Sequence, residues 1–144
     1  MGFQRILVAV DSSPVAARAA DVGAELARAL GAELAFLHAI DPALGIAPKG
    51  GASASELIAF AEEEGRRLLA GFRQRAAFQP PPLEFVPVGR PAAEVVKAAQ
   101  EWPASLIVIG SHGRGGVTRA VLGSVADAVL RHAPCPVVVV RAGE

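Results

Sequence analysis

Short apolar runs alternate with helical patterns along the whole chain. The runs, rich in branched residues and bounded by turn formers, are residues 3–10, 33–40, 83–88, 106–109 and 137–140. Their nearly continuous hydrophobicity is typical of parallel strands that are covered on both faces. Regular alternation of strand and helix favours an α/β layer fold with right-handed crossovers. The sequence therefore predicts a five-stranded parallel sheet with helices on both faces.

Helical spacing of apolar residues occurs at about residues 14–30, 55–75, 91–102 and 124–132. The first helix is the best defined, because Ser12 or Ser13 can cap it, Pro14 lies in its first turn and Gly31 follows it. Apolar residues predicted to face the core include Leu30 in the first pattern and Phe60 in the second.

Composition narrows the class of protein. With 144 residues, 52% of them hydrophobic, the chain has the size of one domain spanning residues 1–144. Lys plus Arg and Asp plus Glu number 14 each, so no overall charge recruits nucleic acid or an anionic membrane. The single cysteine suits a reducing compartment. The first apolar run is too short for a signal peptide, and we expect a soluble cytoplasmic protein.

Two segments lack periodicity. Residues 41–53 contain several Gly and Pro residues and predict a long surface loop, which is either a lid or a plain connection. Residues 79–82 read Gln-Pro-Pro-Pro and predict a stiff connector.

Polar and small residues follow two of the predicted strands. Asp11, Ser12 and Ser13 follow the first, and the Gly110-Ser111-His112-Gly113 segment follows the fourth. Open parallel sheets bind ligands beyond the carboxyl ends of their strands, where the strand order reverses. If these two strands are neighbours, one crevice contains both sets of residues.

Glycines in the fourth strand-to-helix connection have a regular spacing. Gly110, Gly113, Gly123 and Ser124 form the pattern Gly-x2-Gly-x9-Gly-Ser behind the apolar run. A helix that opens at Ser124 turns unpaired N–H groups and its positive dipole end toward an anion, and side chains at 113 or 123 would obstruct the approach. The glycine patterns of dinucleotide-binding domains and P-loop ATPases are missing from the sequence. The spacing indicates a nucleotide phosphate site of another type.

The whole chain resembles the universal stress protein family, small α/β domains of the Rossmann-like, adenine nucleotide hydrolase-like type. The resemblance rests on ILVAVDSS, LHAID, VGRPAAEVV, LIVIGSHGRGG, LGSVADAVL and CPVVVV. It implies an open sheet with strand order 3-2-1-4-5. Family members with this glycine pattern are the ATP-binding kind, which implies ATP as the ligand, with Mg²⁺ as a possible companion.

The resemblance also assigns residues to the pocket. The adenine and ribose end would be lined by Ala9, Val10, Asp11, Ser13, Ala39, Ile109 and Gly110. The phosphates would be surrounded by Gly113, Gly123, Ser124 and Val125, with Ser124 supplying a hydroxyl. Ile109 stands where the family often has methionine, and Ser105 where it often has aspartate.

Several of these residues have a second interpretation. Asp11 can cap the first helix as well as line the pocket. Arg114 either reaches a phosphate or is a solvated loop residue. Ser111 and His112 are adjacent, and adjacent side chains rarely aim at one reacting atom, so we predict no catalytic residue there.

The remaining histidines and the cysteine have simple structural explanations. His38, late in a buried strand, is interpreted as a core or rim histidine whose ring is satisfied by hydrogen bonding, and His132 suits the end of a helix. Neither has metal-ligand spacing. Cys135, between two prolines, is interpreted as a packing residue.

The resemblance and the last strand together imply assembly. A valine strand, residues 137–140, at a sheet edge invites pairing with another chain, and in the family this strand commonly pairs across a two-fold axis. We expect an ATP-binding homodimer that acts in the stress response through binding. Two alternatives stay open: a slow ATPase or nucleotide-transfer enzyme that uses the same crevice, and a nucleotide-independent dimeric scaffold.

Overall fold

The computed structural model describes residues 2–43, 53–112 and 122–142. The elements in chain order are β1 (Arg5–Ala9), α1 (Pro14–Leu30), β2 (Glu33–Leu37), α2 (Ala54–Ala76), β3 (Leu83–Phe85), α3 (Pro91–Glu101), β4 (Leu106–Gly110), α4 (Ser124–His132) and β5 (Val137–Val140). This is the alternation of strand and helix that the sequence predicts. Among the described residues, no helix combines the length and apolarity needed to cross a membrane.

The five strands form one parallel sheet with the order β3-β2-β1-β4-β5. The order expected from the family resemblance is confirmed. Strand β1 pairs with β2 on one side and with β4 on the other, so the order reverses at β1. In register, Ala9 at the end of β1 lies between Leu37 of β2 and Ile109 of β4.

The sheet separates two layers of apolar side chains. Helices α1 and α2 cover the face that carries Ile6, Val8 and Phe36, and helices α3 and α4 cover the face that carries Leu7 and Ile107. All five of these side chains have no exposed surface. Full burial on both faces explains why the strands read as continuous apolar runs instead of alternating ones.

Helix α1 lies unusually close to the sheet. A Cβ atom at Gly23 would lie 2.4 Å from Cγ2 of Val8, which is fully buried in β1. Only a residue without a side chain allows this separation of helix and strand. The helix begins after Ser13 and Pro14, as predicted, and ends at Gly31, which has a left-handed backbone with φ 66°.

Two predicted core positions are wrong. Leu30 is 47% exposed and Phe60 is 66% exposed. Leu30 is the last residue of α1, where the helix leaves the sheet. Phe60 lies in the first half of α2, which is 23 residues and therefore about 35 Å long, whereas a strand of five residues spans about 17 Å. The helix is longer than the sheet it covers, so helical spacing there does not produce burial.

The contact between Gly23 and Val8 gives a stability prediction. We expect Gly23→Ala to destabilise the protein by about 1–3 kcal/mol, because the new methyl group must displace a close-packed core side chain. Gly71→Ala in α2 is the matched control, since nothing lies within 4 Å of a Cβ there. The control should be neutral or stabilising by about 0.4–1 kcal/mol. Urea denaturation of both variants measures the difference, and equal free energies of unfolding would contradict the close contact.

Candidate functional site

The candidate site lies at the carboxyl edge of the sheet, where β1, β2 and β4 end. The pairing of β1 with β4 brings the segment that begins at Asp11 next to the segment that begins at Gly110. The two segments that were predicted to border one crevice therefore lie side by side. Helix α4 begins at Ser124 after the connection from β4.

Asp11 does not act as the cap of α1. The N-cap residue is Ser13, which makes no side-chain capping hydrogen bond. Instead, the Ser13 N–H donates to Asp11 Oδ1 at 2.9 Å, and the Ser13 hydroxyl donates to the same oxygen at 2.5 Å. Both hydrogen bonds use one carboxylate oxygen and fix the orientation of the half-buried Asp11. The interpretation of Asp11 as a helix cap is wrong, because its carboxylate binds Ser13 two residues later.

Gly110 has a packing explanation. A Cβ atom at this position would lie 2.9 Å from Cγ1 of Val15, in the first turn of α1. The start of α1 therefore presses on the end of β4, and glycine permits it. Glycine at position 110 therefore determines how closely the first turn of α1 approaches β4.

Backbone hydrogen bonds fix the start of α4 to the sheet. The Gly123 N–H donates to the Ser111 carbonyl at 2.7 Å, and the Ser111 N–H donates to the carbonyl of Val140 in β5 at 2.8 Å. Ser111 and Gly123 are both buried. The first turn of α4 is thereby held beside the end of β4, although much of the intervening connection lies outside the described residues.

The first turn of α4 carries the predicted phosphate contacts. Ser124 is exposed and Val125 is half-buried, and the first N–H groups of any α-helix have no intrahelical acceptor. Gly123 has φ −65° and ψ 154°, a conformation open to any residue. Asp127 adds a negative charge in this turn, but its carboxylate accepts a hydrogen bond from Arg131 at 3.0 Å.

The end of β2 has an unusual hydrogen-bond arrangement. The Val10 N–H donates to the Leu37 carbonyl at 2.8 Å, and the Val10 carbonyl lies 3.0 Å from Nδ1 of the His38 ring. Ala39 is half-buried, and in the part of the chain that the structure covers its N–H and C=O make no hydrogen bond. The interpretation of His38 as a satisfied core or rim histidine is confirmed, because the ring is half-buried and has a partner; that the partner is Val10 follows only from the strand register.

The remaining residues from the sequence analysis differ in their burial and contacts. Ala9 is half-buried, and Ile109 is buried on the α3 and α4 face. The Ser111 hydroxyl lies 3.2 Å from Nδ1 of His112. Gly113, Arg114 and residues 44–52 of the predicted loop, residues 41–53, lie outside the described residues.

Outside the crevice, the described residues include a groove and the single cysteine. A groove of about 560 Å³ lies beside β3 and α3, between Phe85 and Trp102, and not at the strand ends described above. Burial raises the pKa of the Cys135 thiol, which favours the unreactive thiol form and agrees with a packing role. Within residues 2–43, 53–112 and 122–142, no group of three or more His, Cys, Asp or Glu side chains could hold a metal ion.

An open parallel sheet whose order reverses beside a helix N-terminus defines the class of α/β proteins that bind ligands at the carboxyl edge. The model of the universal stress protein family matches residues 2–141. Universal stress protein YxiE of Bacillus subtilis is 34% identical in an alignment 147 positions long, and the alignment covers 96% of this chain and 99% of YxiE. The chain belongs to the universal stress protein family.

Solved structures of the family share the fold. Universal stress protein UspA from Lactobacillus plantarum has a TM-score of 0.85 and 28% identity, covering 98% of this chain and 99% of its own. A universal stress protein in complex with cAMP has a TM-score of 0.73 and 26% identity, with 99% and 100% covered. The Archaeoglobus fulgidus protein in complex with dAMP has a TM-score of 0.62 and 30% identity, with 97% and 99% covered. Some structural neighbours therefore bind nucleotides.

Proposed function

We propose that this protein binds an adenine nucleotide, with ATP as the first candidate, in the crevice between the ends of β1 and β4. The observation that carries the proposal is the convergence of half-buried polar groups with a helix N-terminus at the point where the strand order reverses. The cAMP and dAMP bound by two structural neighbours share adenine and differ in the sugar and the phosphate. Adenine is thus the common part of the ligands.

The chemistry of the described residues fits such a ligand. The N–H and C=O of Ala39, which bind no other described residue, can bind a base that offers an acceptor beside a donor. The carboxylate of Asp11, held by Ser13, can accept a hydrogen bond from a base amino group or a ribose hydroxyl. The N–H groups at the start of α4 and the Ser124 hydroxyl suit phosphate oxygens. A Mg²⁺ ion would enter with the triphosphate and balance its charge.

We propose that the protein acts by binding and not by catalysis. Residues 1–144 would work as one domain in the cytoplasm, where a single unpaired cysteine is stable. Nucleotide occupancy would alter the surface loops at the carboxyl edge and thereby partner binding. The enzyme alternative uses the same crevice, with water attacking the terminal phosphate of ATP, and His112 is the base that a substitution can test.

Ser124→Ala tests the phosphate half of the site. We expect about a tenfold loss of ATP affinity, because a hydrogen bond to a charged oxygen is removed while the fold is untouched at this exposed position. Ser55→Ala is the matched control, since Ser55 is an exposed serine in the first turn of α2. Isothermal titration calorimetry measures both affinities. Equal losses in the two variants would contradict the placement of phosphate at α4.

A stronger perturbation at the same place is Gly123→Val. Its backbone angles suit valine, and we expect the side chain to occupy the phosphate position and reduce ATP binding below detection. Because Gly123 is buried, the melting temperature must be measured beside the affinity. A folded variant with normal affinity would count against the proposed site.

Two measurements separate the proposal from its alternatives. Mass spectrometry of small molecules released from the denatured protein should detect an adenine nucleotide, and protein that releases none and ignores added ATP would favour the scaffold. Single-turnover hydrolysis with Mg²⁺ should be negligible. Turnover that is lost in His112→Ala, with ATP binding retained, would favour the enzyme.

We further propose a homodimer through the free edge of β5. The two edges of the sheet differ in their capacity for pairing. Strand β3 has three residues and is bracketed by Pro82 and Pro87, which lack the N–H that pairing needs. Strand β5 has four consecutive valines, pairs with β4 on one side and offers its other side to a second copy. Such a contact would be isologous about a two-fold axis.

Val139→Pro tests the dimer. Ile107 N–H donates to Pro136 C=O and Ser111 N–H to Val140 C=O, so the even-numbered residues face β4 and Val139 directs its N–H to the free edge. Proline there removes an edge donor without breaking the β4 ladder. We expect a monomer by light scattering, whereas Val139→Thr, which keeps the N–H, should remain dimeric. A wild-type monomer at micromolar concentration would refute the homodimer.

A further inference from the structure

The hydrogen bonds between β1 and β2 end at the Val10 carbonyl, which contacts a side chain and not a backbone N–H. The last regular bond of the ladder runs from the Val10 N–H to the Leu37 carbonyl at 2.8 Å. In a continuing parallel ladder, the next bond would run from the Ala39 N–H to the Val10 carbonyl. The Val10 carbonyl is instead 3.0 Å from Nδ1 of His38. The imidazole thus takes the acceptor that Ala39 would otherwise use.

The consequence is a donor and an acceptor on Ala39 that point into the site. The N–H groups of His38 and Ile40 donate to the carbonyls of Phe85 and Pro87, so both of these residues face β3. Ala39 lies between them, and its N–H and C=O face the opposite side, toward the end of β1. Across the ranges that the structure describes, neither group has a partner.

The chemistry of the contact fixes the tautomer of His38. A carbonyl oxygen only accepts, so Nδ1 carries the proton that it donates to Val10. The ring is also held by α2, because a Cβ atom on Gly65 would lie 3.1 Å from its Cδ2 atom. Glycine at position 65 lets the helix pack against the imidazole and restrict its rotation.

A neighbouring donor and acceptor distinguish adenine from guanine. Adenine presents its N6 amino donor beside a ring-nitrogen acceptor, whereas guanine presents the O6 acceptor in place of the amino group. The Ala39 N–H would bind the ring nitrogen and the Ala39 C=O would bind the amino group. With guanine, the Ala39 carbonyl would face another acceptor.

We propose that His38 is a positioning residue for base selectivity: by binding the Val10 carbonyl, it leaves the Ala39 backbone free to select adenine. The proposal rests on the proposed nucleotide function. In this proposal, His38 does not contact the nucleotide. It affects base selectivity through the backbone N–H and C=O of Ala39.

Three substitutions at position 38 test the proposal. The side-chain amide of His38→Asn can place a donor near the position of Nδ1, that of His38→Gln places it near Nε2, and His38→Leu has no donor. The affinities of AMP and GMP are measured for each by calorimetry. We expect about a tenfold preference for AMP in the wild type and in His38→Asn, and a preference near one in His38→Leu and His38→Gln.

The ratio of the two affinities is chosen because general destabilisation lowers both alike. His132→Leu is the matched control, since His132 is an exposed histidine at the end of α4, and it should keep the wild-type ratio. A wild-type protein that binds neither nucleotide would refute the proposed function and the selectivity together. Wild-type binding with an unchanged ratio in His38→Leu would overturn the role of His38 alone.

Nuclear magnetic resonance gives a second readout that needs no ligand. The ¹⁵N shifts of His38 should report a proton on Nδ1. In protein stripped of nucleotide, the Ala39 amide should exchange rapidly with solvent in the wild type and become protected in His38→Leu, where the Val10 carbonyl is released to it. A protected Ala39 amide in the nucleotide-free wild type would overturn the proposal.

Discussion

The pairing of β1 on both of its edges is the constraint on which the rest of the structure depends. Its central residues Ile6, Leu7 and Val8 are fully buried, so β1 can neither shift in register nor move toward the surface without exposing one of the two core layers. Because β2 and β4 end on opposite sides of β1, the residues after them approach the same point from two directions. The residues that follow β2 and those that follow β4, which form the two halves of the candidate site, are therefore separated by only two strand spacings.

Glycines set how closely the helices approach this frame. Gly23 lets α1 lie against Val8, and Gly110 lets the first turn of α1 press on the end of β4. The beginning of α1 is thereby fixed relative to both strands that border the crevice. Asp11 and Ser13 precede this turn, so the packing of small residues in the core determines where their polar groups lie.

The sequence predicted elements best where physical signals coincide at their ends. The bounds of β5 and α4 agree with the prediction, since Pro136 precedes the valine strand and Gly123 and Ser124 open the helix. The first two strands are shorter than their apolar runs. Hydrophobicity continues past Ala9 and Leu37, because Val10 and Ile40 stay buried beyond the last strand residues. An apolar pattern indicates which residues are buried. It indicates the bounds of a strand only where burial and strand hydrogen bonding end at the same residue.

The same distinction separates the two halves of the candidate site. The proposed phosphate half has a local sequence pattern: a glycine that leaves space and a serine at the first position of a helix. The base half depends on which strand lies beside which, and at what register. The contact of His38 with Val10 spans 28 positions and has no local signature. Residue type therefore predicts a core or rim histidine at position 38 but not the residue that its ring contacts.

A base that is bound by a backbone amide and carbonyl places little demand on the side chain that carries them. Position 39 could then hold any small apolar residue that fits against the α3 and α4 face, where Ala39 packs now. The required side chains are instead those that position the Ala39 backbone. His38 must supply a donor to Val10, and Gly65 must leave room for its ring. Base selectivity would therefore be encoded one residue before the group that contacts the base, and in a helix that does not touch it.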